Sequence, residues 1–294
     1  MPLRRLIMLG FAGLGVALLA VIGGVWWVFG AIGNVWGLGW SMGAVVVLTG
    51  TIWVLIDREL AAREFDKNNL PARPEYTKFD LYDHPKHLEE LGGRTLKSLT
   101  YIVFDTETTG LRPSEGDEII SIAGVRVVDG VIQKGDPFSR LVNPGRDIPK
   151  ASIRFHGITE DMVEGEDPIA GVLPDFKAFV GDAVLVAHNA AFDIKFLKLK
   201  EQVTGVVFDN LVLDSLLLSV FLEEESHNHG LDAIAERMGV VVEGRHTALG
   251  DSLVTAGVFL RMLDMLEARG IRTLGQAIEA SSRISHIREM QKQF

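Results

Sequence analysis

Two long apolar runs open the chain, and a regular alternation of apolar and polar positions fills its second half. Leu6–Phe29 is a run of 24 uncharged residues and Val35–Ile56 a run of 22. Each exceeds the roughly 20 apolar residues that a helix needs to cross a bilayer. The short Gly30-Ala31-Ile32-Gly33-Asn34 segment between them reads as a turn, so residues 1–56 are expected to form a transmembrane helical hairpin. Residues 57–98 change character: they are charged, contain Pro71, Pro74 and Pro85, and show no long apolar period. They read as a linker. From Thr100 onward the short runs return. Tyr101–Phe104 and Ala183–Ala187 read as buried strands, Glu118–Val128 and Val131–Val142 as a hairpin through Asp129-Gly130, and Val206–Leu213 as a strand leading into a helix. Helical periods occupy Ile169–Val180, Phe192–Glu201, Leu231–Met238 and Thr247–Ala268, the last ended by Gly270. Three strands followed by alternating strands and helices predict an α/β fold, a mixed sheet with helices packed on it, over residues 99–270. Residues 271–294 are expected to be a tail.

Charge sharpens this division. The first 56 residues hold no Asp, Glu or Lys, two Arg and all five Trp. The remaining 238 residues carry 27 basic and 39 acidic side chains, a net charge of 27 − 39 = −12. Arg4 and Arg5 precede the first apolar run, and Arg58, Arg63 and Lys67 follow the second. The positive-inside rule therefore puts both termini, and the domain after the hairpin, on the cytoplasmic side of the membrane. Trp26, Trp27, Trp36 and Trp40 near the turn, with Trp53 toward the other face, fit an interfacial belt. A cleaved signal peptide is the competing reading; the first run is too long for one, and a second span follows directly. The chain has no cysteine, which excludes disulfides, thiolate metal sites and a cysteine nucleophile. A domain at −12 does not coat nucleic acid as basic proteins do; metal ions or a local basic patch would have to meet phosphate.

Candidate chemistry lies at three junctions. Asp105-Thr106-Glu107 follows the first strand, and residues i and i+2 of a strand share a face. Two carboxylates so placed repel one another unless a cation neutralises them, and hard ions such as Mg²⁺ or Mn²⁺ suit oxygen donors. Thr108-Thr109-Gly110 then turns the chain and leaves backbone amides for a ligand. His188-Asn189-Ala190-Ala191-Phe192-Asp193 brings a third carboxylate to a strand-to-helix junction. His246-Thr247-Ala248-Leu249-Gly250-Asp251 brings a fourth, in the first turn of the long helix, with His246 on the preceding loop as a candidate base. His84 and His87 in the linker, and His227 and His229 further on, read as surface or loop histidines.

Together, Phe104-Asp105-Thr106-Glu107-Thr108-Thr109-Gly110, His188-Asn189-x-x-Phe192-Asp193 and His246-x₄-Asp251 resemble, in order and spacing, the three motifs of the DEDDh 3′-to-5′ exonucleases. Within that family the resemblance is to the proofreading epsilon subunits of bacterial DNA polymerase III. His156-Gly157-Ile158-Thr159 resembles a segment usual between the first two motifs. The resemblance implies an RNase H-like fold and two-metal hydrolysis, with Asp105, Glu107, Asp193 and Asp251 holding two divalent ions, Mg²⁺ or Mn²⁺, about 4 Å apart. It makes His246 the proton acceptor and Thr108, Thr109, Gly110 and Leu111 the contacts to the terminal nucleotide, with His156, Asn189 and Phe192 as further contacts. The expected partner is nucleic acid, DNA before RNA, with the membrane engaged through residues 6–56; an RNA exonuclease or a catalytically idle binding module are the alternatives. Residues 271–294 lack a clamp-binding Gln-x-x-Leu-x-Phe pattern, which favours a stand-alone nuclease over one with a polymerase partner.

Overall fold

The structure, a computed structural model, describes residues 85–282. The two apolar spans expected at 6–29 and 35–56 lie outside these residues. Among the described residues, no helix is long and apolar enough to cross a membrane.

The first strand, β1 (Tyr101–Thr108), is buried on both faces, which explains its unbroken apolar start. It pairs antiparallel with β2 (Ile119–Val128), which pairs antiparallel with β3 (Val131–Leu141). On its other side β1 runs parallel to β4 (Val184–Ala187), and β4 runs parallel to β5 (Val212–Asp214). The sheet order is therefore β3-β2-β1-β4-β5, the expected mixed sheet with β1 at its centre. The edge strand β3 breaks register with β2 between Gln133 and Phe138, where the sequence carries Gly135-Asp136-Pro137. A proline is tolerated there because an edge strand can forgo a ladder hydrogen bond.

The helices are α1 (Pro85–Leu91), α2 (Lys150–His156), α3 (Glu160–Val163), α4 (Ile169–Val180), α5 (Ala190–Thr204), α6 (Ser215–Leu222), α7 (Leu231–Arg237), α8 (Ala248–Ala268) and α9 (Leu274–Ser282). The period of two in β1 divides them into two layers. Tyr101 and Val103 join a core with Val254, Phe259 and Met262 of α8, which also takes in α6, α7 and α9. Ile102 and Phe104 face a second core with Leu173 and Phe176 of α4 and Ile194 and Leu197 of α5. The Tyr101 ring meets Phe259 edge-on, its centroid 4.9 Å away, and its hydroxyl donates to the Leu96 carbonyl at 2.7 Å. Each such fully buried large side chain contributes about 1.5–3 kcal/mol.

The packed unit reaches beyond residues 99–270. Leu96 donates its amide to Arg272 O, Leu274 to Arg94 O and Gly275 to Gly92 O. The end of the expected linker is thereby joined to the start of the expected tail, and α9 buries Leu274, Ala277 and Ile278. His87 is half-buried, with its Nδ1 2.8 Å from the Asp209 carbonyl. The strand expected from Val206 begins only at Val212; Phe208 before it is buried as an anchor of the second core rather than as a strand residue.

Candidate active site

The alternation that sorts apolar side chains between two layers also sorts the polar end of β1. Asp105 and Glu107 continue the face of Tyr101 and Val103, toward α8. Carboxylate oxygens of Asp105, Glu107 and Asp251, in the first turn of α8, all lie within 4.8 Å of one another. Thr106 continues the opposite face, toward α5. Its amide and hydroxyl donate to Asp193 Oδ1 at 3.2 and 2.6 Å, which fixes this fourth carboxylate, itself buried, where its charge acts on Asp105 and Glu107, next to the three-carboxylate group and not within it.

So many carboxylates in one buried place oppose ionisation. Burial raises the Asp105 carboxyl well above its usual range, and the charges of Asp193, Glu107 and Asp251 add to the effect. Glu107 is pushed up to about 8, by burial first and then by Asp251 and Asp193. In both cases the nearby Arg245 cation acts the other way. An all-carboxylate donor set in which Asp105 and Glu107 hold back their charge fits hard divalent cations, which would restore their ionisation.

His246 stands on the loop before α8, as expected from its five-residue spacing to Asp251. Its backbone is left-handed, φ 61°, an uncommon and costly conformation for a residue with a side chain. The loop is held by a close approach: a Cβ on Gly250 would collide with the Gly244 carbonyl, so the first turn of α8 needs glycine there. Thr247 caps the helix by accepting from Gly250 N, and the His246 amide donates to Asp251 Oδ1 at 3.2 Å. The imidazole packs on the half-exposed Phe155 ring of α2 at 4.3 Å, and its buried Nδ1 makes no hydrogen bond among the described residues.

The end of β1 and the loop after it form the rim. Thr108 Oγ1 donates to Gly110 O at 2.6 Å, Thr109 Oγ1 donates to Asp117 at 3.2 Å, and Ser152 of α2 donates to Thr109 O at 2.7 Å. Leu111 is exposed at its tip. His156 is buried, accepts from Ile158 N at 3.0 Å, and is held toward its neutral form by burial, against the pull of the Thr108 carbonyl. His188 Nδ1 lies 3.0 Å from Ser215 Oγ, and Phe192 packs edge-on against Phe196 at 5.0 Å. Asn189 is left-handed at φ 62°, immediately before α5. His229 lies within hydrogen-bond distance of Ser219 Oγ at 2.6 Å and Ser226 O at 3.0 Å, a loop fastening remote from these groups in role.

Three residues that the motifs do not mark shape the site. Asp214, fully buried at the end of β5, accepts from Asn189 N, Ala190 N and Leu216 N at 3.0, 3.1 and 2.9 Å, and so ties the starts of α5 and α6 together. Asp117 holds the rim, accepting also from Arg112 N at 2.9 Å. Arg245 pairs with both Asp251 and Asp232 of α7. A signal for Asp214 was present: an apolar run ending in Asp-Ser is a helix N-cap pattern. Arg245 had none beyond its place beside His246.

A mixed five-stranded sheet with clustered carboxylates at the end of its central strand and a histidine beside them defines an RNase H-like nuclease domain. The Exonuclease (RNase_T) family model matches residues 102–259, and the chain belongs to this family. Its described domain is of the DEDDh exonuclease type. The chain is 52% identical over 185 residues to a "DNA polymerase III subunit epsilon-like protein" of Rhodobacter capsulatus, covering 62% of this chain and 26% of that protein. It is 39% identical over 183 residues to a "DNA polymerase III PolC-type" protein of Thermotoga maritima, covering 62% of this chain and 13% of that one. The chain thus spans about a quarter or less of the length of these two relatives. Among solved structures it is similar to exonuclease X in complex with 5′ overhanging duplex DNA, with 29% identity, a TM-score of 0.50, and coverage of 62% of this chain and 99% of that one. The nuclease domain of 3′hExo, a DEDDh family member bound to rAMP, shares the fold at 22% identity and a TM-score of 0.52 over 58% of this chain and 94% of that one.

Proposed function

We propose that this chain is a membrane-tethered, metal-dependent 3′-to-5′ exonuclease that removes nucleotides from the 3′ ends of nucleic acid, single-stranded DNA in preference to RNA. The observation that carries the reading is the convergence of Asp105, Glu107 and Asp251 within 4.8 Å, with Asp193 latched beside them through Thr106. These four carboxylates would hold two divalent ions, Mg²⁺ or Mn²⁺. Bound there, the ions supply an activated water, charge neutralisation at the scissile phosphate and stabilisation of the leaving 3′ oxygen. The chain's own residues do the rest. His246 accepts the proton of the attacking water at an imidazole nitrogen. Thr108, Thr109, Gly110 and the exposed Leu111 meet the terminal nucleotide, with His156, Asn189 and Phe192 shaping the surrounding wall.

Residues 6–56 are proposed to anchor the enzyme in the inner membrane of a bacterium, with the nuclease domain in the cytoplasm and acting without a polymerase partner. The test incubates the purified full-length chain, in detergent, with 5′-labelled single-stranded DNA and matched RNA, with Mg²⁺, Mn²⁺ or EDTA, beside an Asp105→Ala variant. A metal-dependent ladder shortening from the 3′ end, absent in the variant, is expected. Faster digestion of RNA would reassign the substrate, and digestion of neither by a folded protein would leave a binding module. Recovery in a carbonate-washed membrane fraction checks the anchor; release into the wash would refute it.

A further inference from the structure

The proposed reaction does not use the charge of Arg245, which sits at the carboxylate site. Its guanidinium is mostly buried, at 21% side-chain exposure, and pairs with Asp251 Oδ1, the same oxygen that accepts the His246 amide. On its other side it grips Asp232 with two nitrogens, through Nε to Oδ1 and through Nη2 to Oδ2 at 3.2 Å. Asp232 is 63% exposed, in the first turn of α7, and outside the cluster. An arginine thus spans one carboxylate at the candidate metal site and one at the surface. A divalent ion claiming Asp251 must displace the guanidinium or accept its charge as a neighbour, since like charges a few ångströms apart repel strongly in a partly buried place.

On the reading that the carboxylates hold divalent ions, we propose that Arg245 is a resident counter-ion that competes with metal for Asp251, with Asp232 as its resting place once the metal is bound. The pair then sets how tightly the site takes metal. Without metal the guanidinium offsets repulsion among Asp105, Glu107 and Asp251. With metal it withdraws onto Asp232, where the two-pronged geometry suits arginine and not lysine.

The two members of the pair have opposite effects, which makes the inference testable without activity. Mn²⁺ affinity of the full-length chain is measured by electron paramagnetic resonance and calorimetry. Arg245→Gln removes the competitor and is expected to tighten Mn²⁺ binding on the order of tenfold. Asp232→Asn removes the resting place and is expected to weaken it several-fold, with Asp232→Glu restoring it. In the Arg245→Gln/Asp232→Asn double variant the Asp232 effect is expected to vanish, leaving the affinity of Arg245→Gln alone. Thermal unfolding in EDTA reports folding; should Arg245→Gln fail to fold, the Asp232→Asn and Asp232→Glu pair still decides. Unchanged or weaker binding in Arg245→Gln, or Asp232→Asn binding as tightly as wild type, overturns the inference. Absence of Mn²⁺ binding by the wild type instead overturns the metal reading beneath it.

Discussion

Replacing Asp214 with asparagine isolates what holds the second motif in place. The carboxylate accepts three backbone amides, from Asn189 and Leu216 at Oδ1 and from Ala190 at Oδ2. An amide side chain has one accepting end. Turned toward Asn189 and Leu216, it sets its NH₂ against the Ala190 N–H and leaves two buried donors unpaired, at about 1–3 kcal/mol each. The wild type carries an opposing cost: burial raises the Asp214 carboxyl from 3.8 to about 6, so the charged form is disfavoured by roughly 3 kcal/mol. Because the folded-state value lies above the unfolded one, folding takes up a proton between about pH 4 and 6. This contribution to wild-type stability is fully present below that window and is lost as pH rises through about 6. The variant lacks it. The wild-type advantage over Asp214→Asn is therefore expected to be larger at pH 5 than at pH 8 by about 1.4 kcal/mol, a widening of the Tm gap of about 3–6 °C for a domain of this size. Scanning fluorimetry of both proteins in EDTA at the two pH values measures it, and other titrations cancel in the difference. A gap that stays constant, or narrows in acid, would falsify the assignment of a buried, charge-resisting cap.

Three further outcomes follow from the same geometry. Because Glu107 is pushed up to about 8, metal uptake is expected to release protons and to tighten as pH rises toward 8; calorimetry in buffers of different ionisation enthalpy measures the release, and Glu107→Gln should diminish it. Thr106→Val removes the 2.6 Å bond to Asp193 and is expected to slow digestion about 10- to 100-fold with little loss of stability; an unchanged rate refutes the latch. Gly110→Ala drives a methyl group into the Asp117 carboxylate and loosens its hold on Thr109 and Arg112, so KM for a 3′ end should rise several-fold, more than kcat falls. An equal fall in kcat with KM unchanged would place the rim outside substrate binding.

What was legible in the sequence was whatever repeats locally. The apolar run at Tyr101 lies in a strand buried on both faces, and the helical period at Ile169–Val180 matches α4 end to end. Asp105 and Glu107 share a face because strands alternate, and His246, expected on the loop before α8, lies there because its backbone is left-handed and Thr247 caps the helix. What depends on distant contacts was not legible. Helices α2 and α3 have seven and four residues, too short to show a period. Ile148, Ile158 and Val163 dock their segment on Ile120 of β2, in a contact that no window along the chain contains. The joining of residues 92–96 to 272–275 is likewise a pairing across most of the domain, so the local composition of either segment read as linker or tail.

The positioning groups follow a simpler logic than their absence from the motifs suggests. Each lies one step along the backbone from a motif residue or bonds to such a neighbour. Thr106 stands between Asp105 and Glu107 and, pointing the other way, reaches Asp193. Asn189 follows His188 and turns in the left-handed region, which delivers its amide and that of Ala190 to Asp214. Arg245 precedes His246, and the left-handed turn at His246 lets the arginine reach Asp251 from outside the helix. A motif that places a carboxylate at the end of a strand or the start of a helix fixes the backbone there. The adjacent side chain must then leave on the opposite side, toward the next element of the site. The four acidic residues come from segments as far apart as β1 and α8, so no one element can align them. These neighbours cross-link the segments, and substitutions at Thr106, Asp214 or Arg245 should disturb the cluster while leaving all four carboxylates in place.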